Sequence, residues 1–182
     1  MDLRGGIKLD DAPITQVTGG LSFSDYEHTE FEAPGEAGTV FETTGHELRI
    51  EATHAPVFGF QGTFGVQHSD KEFSAIGEEA FISPTDTERY ALFLYEVREW
   101  GDVFGIEGGL RFENAKLTNA IYGDRDFDTF SGSLGVHGHP SEHFFVGFQL
   151  AVTERAPTDV ELFANGPHLA TQQFEVGDST LD

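Results

Sequence analysis

The sequence predicts an all-β protein: an antiparallel up-and-down meander of about nine strands, forming part of a transmembrane β-barrel. Three observations carry that expectation. Apolar and polar residues alternate along most of the chain, and helical periodicity is almost absent. Short and long connections alternate between the apolar segments, the pattern of a barrel with tight turns at one end and long loops at the other. Finally, Phe (18) and Gly (22) are abundant, while no run approaches the roughly 18 apolar residues of a membrane helix.

The strands are expected at 2–9, 14–28, 39–54, 58–69, 87–100, 102–114, 127–139, 143–155 and 171–177. After the short segment 2–9, Val17, Leu21 and Phe23 oppose Thr18, Ser22 and Ser24. In 39–54, Leu48, Ile50 and Ala52 oppose Glu47, Arg49 and Glu51. In 58–69, Phe58, Phe60, Phe64 and Val66 share a face against Gln61, Thr63 and Gln67. The stretch 90–97 is apolar on both faces, so its orientation is open. In 102–114, Phe104, Ile106, Leu110 and Phe112 oppose Glu107 and Arg111. Phe130, Leu134 and Val136 oppose Thr129, Ser131 and Ser133. Phe144, Val146, Phe148, Leu150 and Val152 oppose Phe145, Gly147, Gln149, Ala151 and Thr153, and 171–177 completes the set. Tight connections are expected at 10–13, 55–57, 101–102 and 140–142, and long loops at 29–38, 69–86, 115–126 and 156–171.

The face opposite the apolar one is mostly Gly, Ser, Thr and Gln with scattered Glu and Arg, which suits a hydrated lumen facing a lipid-directed wall. A closed bacterial barrel has an even number of strands, and an open membrane sheet would leave backbone edges unpaired in lipid. The chain is therefore expected to belong to a larger barrel.

Composition excludes several functions. With Lys+Arg 10 and Asp+Glu 32, the net charge of −22 rules out an electrostatic grip on nucleic acid. Zero Cys removes disulfide scaffolds, thiolate zinc sites and Cys nucleophiles. No apolar signal region opens the chain. There is no G-x-S-x-G elbow, no P-loop and no dinucleotide fingerprint, so no enzyme is expected.

The run 154–171 is distinctive: Glu154, Arg155, Pro157, Glu161, Leu162, Phe163, Ala164, Gly166, His168, Ala170 and Thr171, then Phe174, Glu175, Gly177 and Asp178. It resembles the mid-barrel signature of TonB-dependent outer-membrane receptors, E-R-x-P-x-x-x-E-L-[FY]-A-x-G-x-H-x-A-T leading into F-E-x-G-[ND]. The stretches 24–30, 48–56, 74–81 and 107–113 resemble the same family, in particular its zinc-uptake branch. The resemblance implies a 22-stranded barrel in the cell outer membrane, an N-terminal plug domain inside it, and coupling to TonB. Residues 1–182 would then be a partial barrel domain without the plug, the TonB box or the C-terminal strands. Its implied partners are the lipid bilayer, the plug and TonB of the full-length receptor, and a metal or metal-chelate ligand, with no cofactor.

Two histidine groups are candidate metal sites. His137, His139 and His143 form an H-x-H-x3-H cluster across a tight turn, and imidazole is the commonest transition-metal ligand. Solvated turn histidines are the plain alternative. The zinc-branch resemblance implies a second group near the mouth: His168 with Glu30 and His28, beside which a loop-packing role for His168 stands. Two further functions remain open, a soluble ligand-binding β-barrel and an acidic structural surface protein.

Overall fold

The computed structural model describes residues 1–33, 35–77, 80–101, 103–168 and 173–182. It is an antiparallel meander of eight strands in sequence order, not closed into a barrel. The strands are β1 (Asp2–Lys8), β2 (Ile14–Ala33), β3 (Glu36–His54), β4 (Phe60–Ile76), β5 (Thr85–Trp100), β6 (Phe104–Asn119), β7 (Gly123–Ser141) and β8 (Phe144–Val152). A short helix, α1 (Asp159–Phe163), and a separate hairpin, β9 (Asn165–His168) with β10 (Gln173–Val176), complete the chain. No helix among the described residues is long and apolar enough to cross a membrane.

The first eight expected strands are present. The expected ninth is not a strand of the main sheet: β10 pairs only with β9, and the start of the expected segment, 171–172, lies outside the described residues. Three of the four expected long loops are also corrected. β2 and β3 run on until only residues 34–35 separate them, β6 and β7 until only 120–122 separate them, and β4 to β5 leaves 77–84. The expected turn at 101–102 is the link between β5 and β6, of which Asp102 lies outside the described residues. The acidic pair Glu78 and Glu79, expected in a loop, lies outside them too.

Register explains the misreading. Directly opposed residues of an antiparallel pair point to one side. Ile50↔Val66↔Leu92↔Phe112↔Phe130 is one continuous row of the apolar face. Leu48, Phe64, Leu94, Leu110, Leu134 and Leu150 belong to the same face, and most of their side chains are exposed. The other face carries Arg49, Gln67, Arg111, Glu113 and Ser133. The ambiguous stretch is settled: Tyr90, Leu92 and Leu94 join the apolar face, whereas Ala91, Phe93 and Tyr95 join the polar one.

Towards the β2–β3 hairpin end, the two faces exchange character. The formerly apolar face becomes charged, with Asp70↔Glu88↔Lys116↔Asp126 in one row. The formerly polar face becomes apolar: Phe41, Ala75, Ala115, Leu117 and Phe127 are buried on it. α1 packs there, adding Leu162, Phe163 and Ala164 to a core shared with Ile82, Ala115, Leu117 and Phe127. Apolar residues therefore move from one parity to the other along the same strand. In sequence this exchange reads as lost alternation, hence as loop.

Aromatic side chains mark both limits of the exposed apolar band. At the exchange line, rings of Phe23 and His46, His46 and His68, and His68 and Tyr90 follow one another at 6.3, 5.9 and 4.5 Å. At the tight-turn end, Trp100 and Phe104 lie 5.3 Å apart, and Arg98 lies over both Phe60 and Trp100. At about 3.3 Å per residue, Tyr90 and Trp100 stand about 33 Å apart along β5.

Candidate functional site

The polar face carries a cross-strand network at mid-height. Gln67 Oε1 accepts from Arg49 Nη1 at 3.2 Å and from Arg111 Nη1 at 3.1 Å. Arg49 also donates to Glu51 and lies 4.1 Å over the Phe93 ring. Arg111 pairs with Glu113, whose carboxylate lies 3.9 Å from Arg89 Nε. Cations and carboxylates alternate, so this face is polar yet close to neutral. Side chains held in this way suit a water-lined surface rather than a dry core.

The upper part of that face is organised by the distinctive C-terminal run. Thr158 caps α1: its Oγ1 accepts from Glu161 N–H at 3.2 Å, and its own N–H donates to Glu161 Oε2 at 2.8 Å. This is a reciprocal capping box. Arg155 grips the same carboxylate with two N–H···O bonds of 2.7 Å. Arg155, with the backbone N–H of Thr158, holds the Glu161 carboxyl down at about 2. The next turns are tied by backbone bonds: Asn165 N–H to Phe81 O, Gly177 N–H to Ala164 O, and Asp178 N–H to Glu161 O. Phe163 stacks on Tyr122. The run is thus a knot that fastens the C-terminal segment to the β4–β5 connection and to the β6–β7 turn.

Beside the knot lies a cleft of about 370 Å³ lined by His28, Glu30, Lys71, Phe73, Phe81 and Asp159, among others. Lys71 Nζ donates to Asp159 Oδ2 at 2.8 Å, joining β4 to α1. His28 lies flat on Phe41 at 4.7 Å, its Nε2 3.9 Å from Glu30 Oε1, and its Nδ1 is enclosed without a partner. Glu30 was expected in the loop 29–38 and His28 at the end of the strand before it; both lie within β2, on the same side of the sheet as α1. His168 ends β9, opposite Gln173, and its side chain lies outside the described residues.

The expected cluster of His137, His139 and His143 does not converge on one point. His137 Nε2 lies 3.1 Å from Glu99, His139 packs near Phe145, and His143 is exposed in the β7–β8 turn. Among the described residues, no three His, Asp or Glu side chains converge on a metal-sized point.

Sequence reading passed over Lys71, Asp159 and the Arg155–Glu161 grip. The Thr158-x-x-Glu161 spacing was the available signal, because it marks a helix start. No protein-family model matches the sequence.

Proposed function

We propose that this chain is a stretch of the transmembrane wall of an outer-membrane receptor of the TonB-dependent type, serving active uptake of a scarce nutrient. The observation that carries the reading is the exposed apolar band, edged by aromatic side chains on both sides and backed by a polar face; at the strand tilt of a membrane barrel it would stand about 25 Å tall. A soluble sheet gains nothing from so large an exposed apolar face. In this reading lipid covers the apolar face, and further strands of the full-length receptor pair with β1 and β8. A plug domain meets the polar face and couples to TonB. Binding and gated passage are the activity, with no chemistry on the ligand.

The cleft beside α1 faces the mouth in this arrangement. Its His28–Glu30 pair fits a divalent metal or a metal chelate, zinc being the candidate. Zinc takes four ligands, so the rest of the shell comes from His168 or from the plug.

The chain has no Cys, so single cysteines report position without background. In outer-membrane vesicles, cysteines replacing Val66, Leu110 and Phe148 should resist a water-soluble maleimide. Those replacing Gln67 and Ser133 should react. Equal labelling of both sets would defeat the wall reading, and full uptake of zinc by a His28→Ala, Glu30→Ala receptor would defeat the zinc assignment.

A further inference from the structure

We propose that Arg98, held between the Phe60 and Trp100 rings at the tight-turn rim of the apolar face, is a docking site for the phosphate of a membrane phospholipid. The inference rests on the wall reading above and adds a specific ligand to it. The chain is strongly acidic, and its few cations are almost all engaged. Of the ten Lys and Arg residues, all but Lys8 and Arg98 have a carboxylate within 4.0 Å among the described residues. Both exceptions stand at the tight-turn end of the sheet. Arg98 stands opposite Phe60 and Ile106, on the apolar face. Its guanidinium lies 4.5 Å over Trp100 and 5.4 Å over Phe60. The rings fix the group, and no described residue accepts from its fork of N–H donors, the geometry that matches a phosphate.

The reason Arg98 has no carboxylate partner among the described residues lies two residues away. Glu96 shares its strand and its face, and is the obvious partner. It is taken instead by His54, whose Nε2 lies 2.8 Å from Glu96 Oε1. His54 Nδ1 lies 2.7 Å from the carbonyl oxygen of Ala55, so this nitrogen donates. With acceptors on both sides, the imidazole keeps the carboxylate as its own counter-ion or shares a proton with it. The contact crosses Gly62: a Cβ there would lie 2.7 Å from Glu96 Cδ. His54 and Gly62 are thus positioning residues that hold Glu96 away and keep Arg98 open to lipid.

Trp100 is the sole tryptophan and reports on the site directly. The full chain is folded in maltoside micelles, and phosphatidylglycerol is titrated in while Trp100 emission is followed. A saturable change is expected, weakened about fivefold or more by Arg98→Gln, the fold-change for about 1 kcal/mol per arginine at a membrane surface. His54→Leu leaves Arg98 in place but frees Glu96 to pair with it, so it should weaken the titration as well. The double variant His54→Leu, Glu96→Gln should restore it. Identical titrations for wild type and Arg98→Gln would overturn the proposal. So would saturation by inorganic phosphate at the same concentration, which would make the site one for free anions. Trp100 remaining water-exposed in both micelles and phosphatidylglycerol vesicles would instead sink the wall reading, and this inference with it.

Discussion

Gly62 shows how much one missing side chain decides. It is buried on the apolar face, beneath the contact between His54 and Glu96. A methyl group there would press on the Tyr95 carbonyl oxygen and on the Glu96 carboxylate. Both cannot yield without moving β5. Gly62→Ala is therefore expected to cost about 1–3 kcal/mol of stability, the usual range for overpacking. It should also shift the His54 ring resonances in an NMR spectrum. An unchanged His54 environment would mean that the pair does not cross this residue. In the sequence Gly62 is one glycine among many in an alternating strand. Its role depends on residues far along the chain, which only strand register brings beside it.

At the scale of elements, α1 is five residues long and cannot be stable alone. It persists because Leu162 and Phe163 are almost wholly buried against the sheet and because Arg155 and Thr158 hold Glu161. The Glu161 carboxyl is depressed from its ordinary value of 4.5 to about 2 by Arg155 and Thr158. A depressed acid stabilises the fold above its unfolded value and loses that contribution as pH falls through the folded one. The knot should therefore loosen between about pH 4.5 and about pH 2. The protection of the Ala164 and Gly177 amides against hydrogen exchange, corrected for the intrinsic rate at each pH, should fall across this range. In Glu161→Gln this fall should disappear, with low protection already present at neutral pH. Equal protection at pH 5 and pH 2.5 in the wild type would contradict the role of the grip. The motif was legible as a sequence, and so was the absence of any long helix. The helix itself was not read, because five residues give too short a window for periodicity.

For the whole molecule, the governing feature is the exchange of faces near the line of rings of Phe23, His46, His68 and Tyr90. Below it, apolar side chains stand on the open face; above it, they turn to the side covered by α1. Leu110 lies within the lower zone on a central strand. If the band meets lipid, Leu110→Arg should cost about 2–4 kcal/mol near the midplane, measured by folding into vesicles. If the band meets water, the same change is close to neutral and should raise solubility. The two outcomes separate a membrane wall from a soluble sheet with one variant.

The sequence by itself determined the class of fold, the order of the first eight strands and, except in β1 and β5, which residues form the apolar face of each. Alternation is a property of the extended backbone, so it is written in adjacent residues and needs no partner. It did not determine where strands end, because a change of environment along one strand moves the apolar set from one parity to the other. Tertiary structure alone decided that exchange, as it decided the Gln67 bridge between Arg49 and Arg111, the seat of α1 beside His28 and Glu30, and the freedom of Arg98. Each depends on side chains from different strands meeting at one height, and register, fixed by the packing of the whole sheet, sets that height.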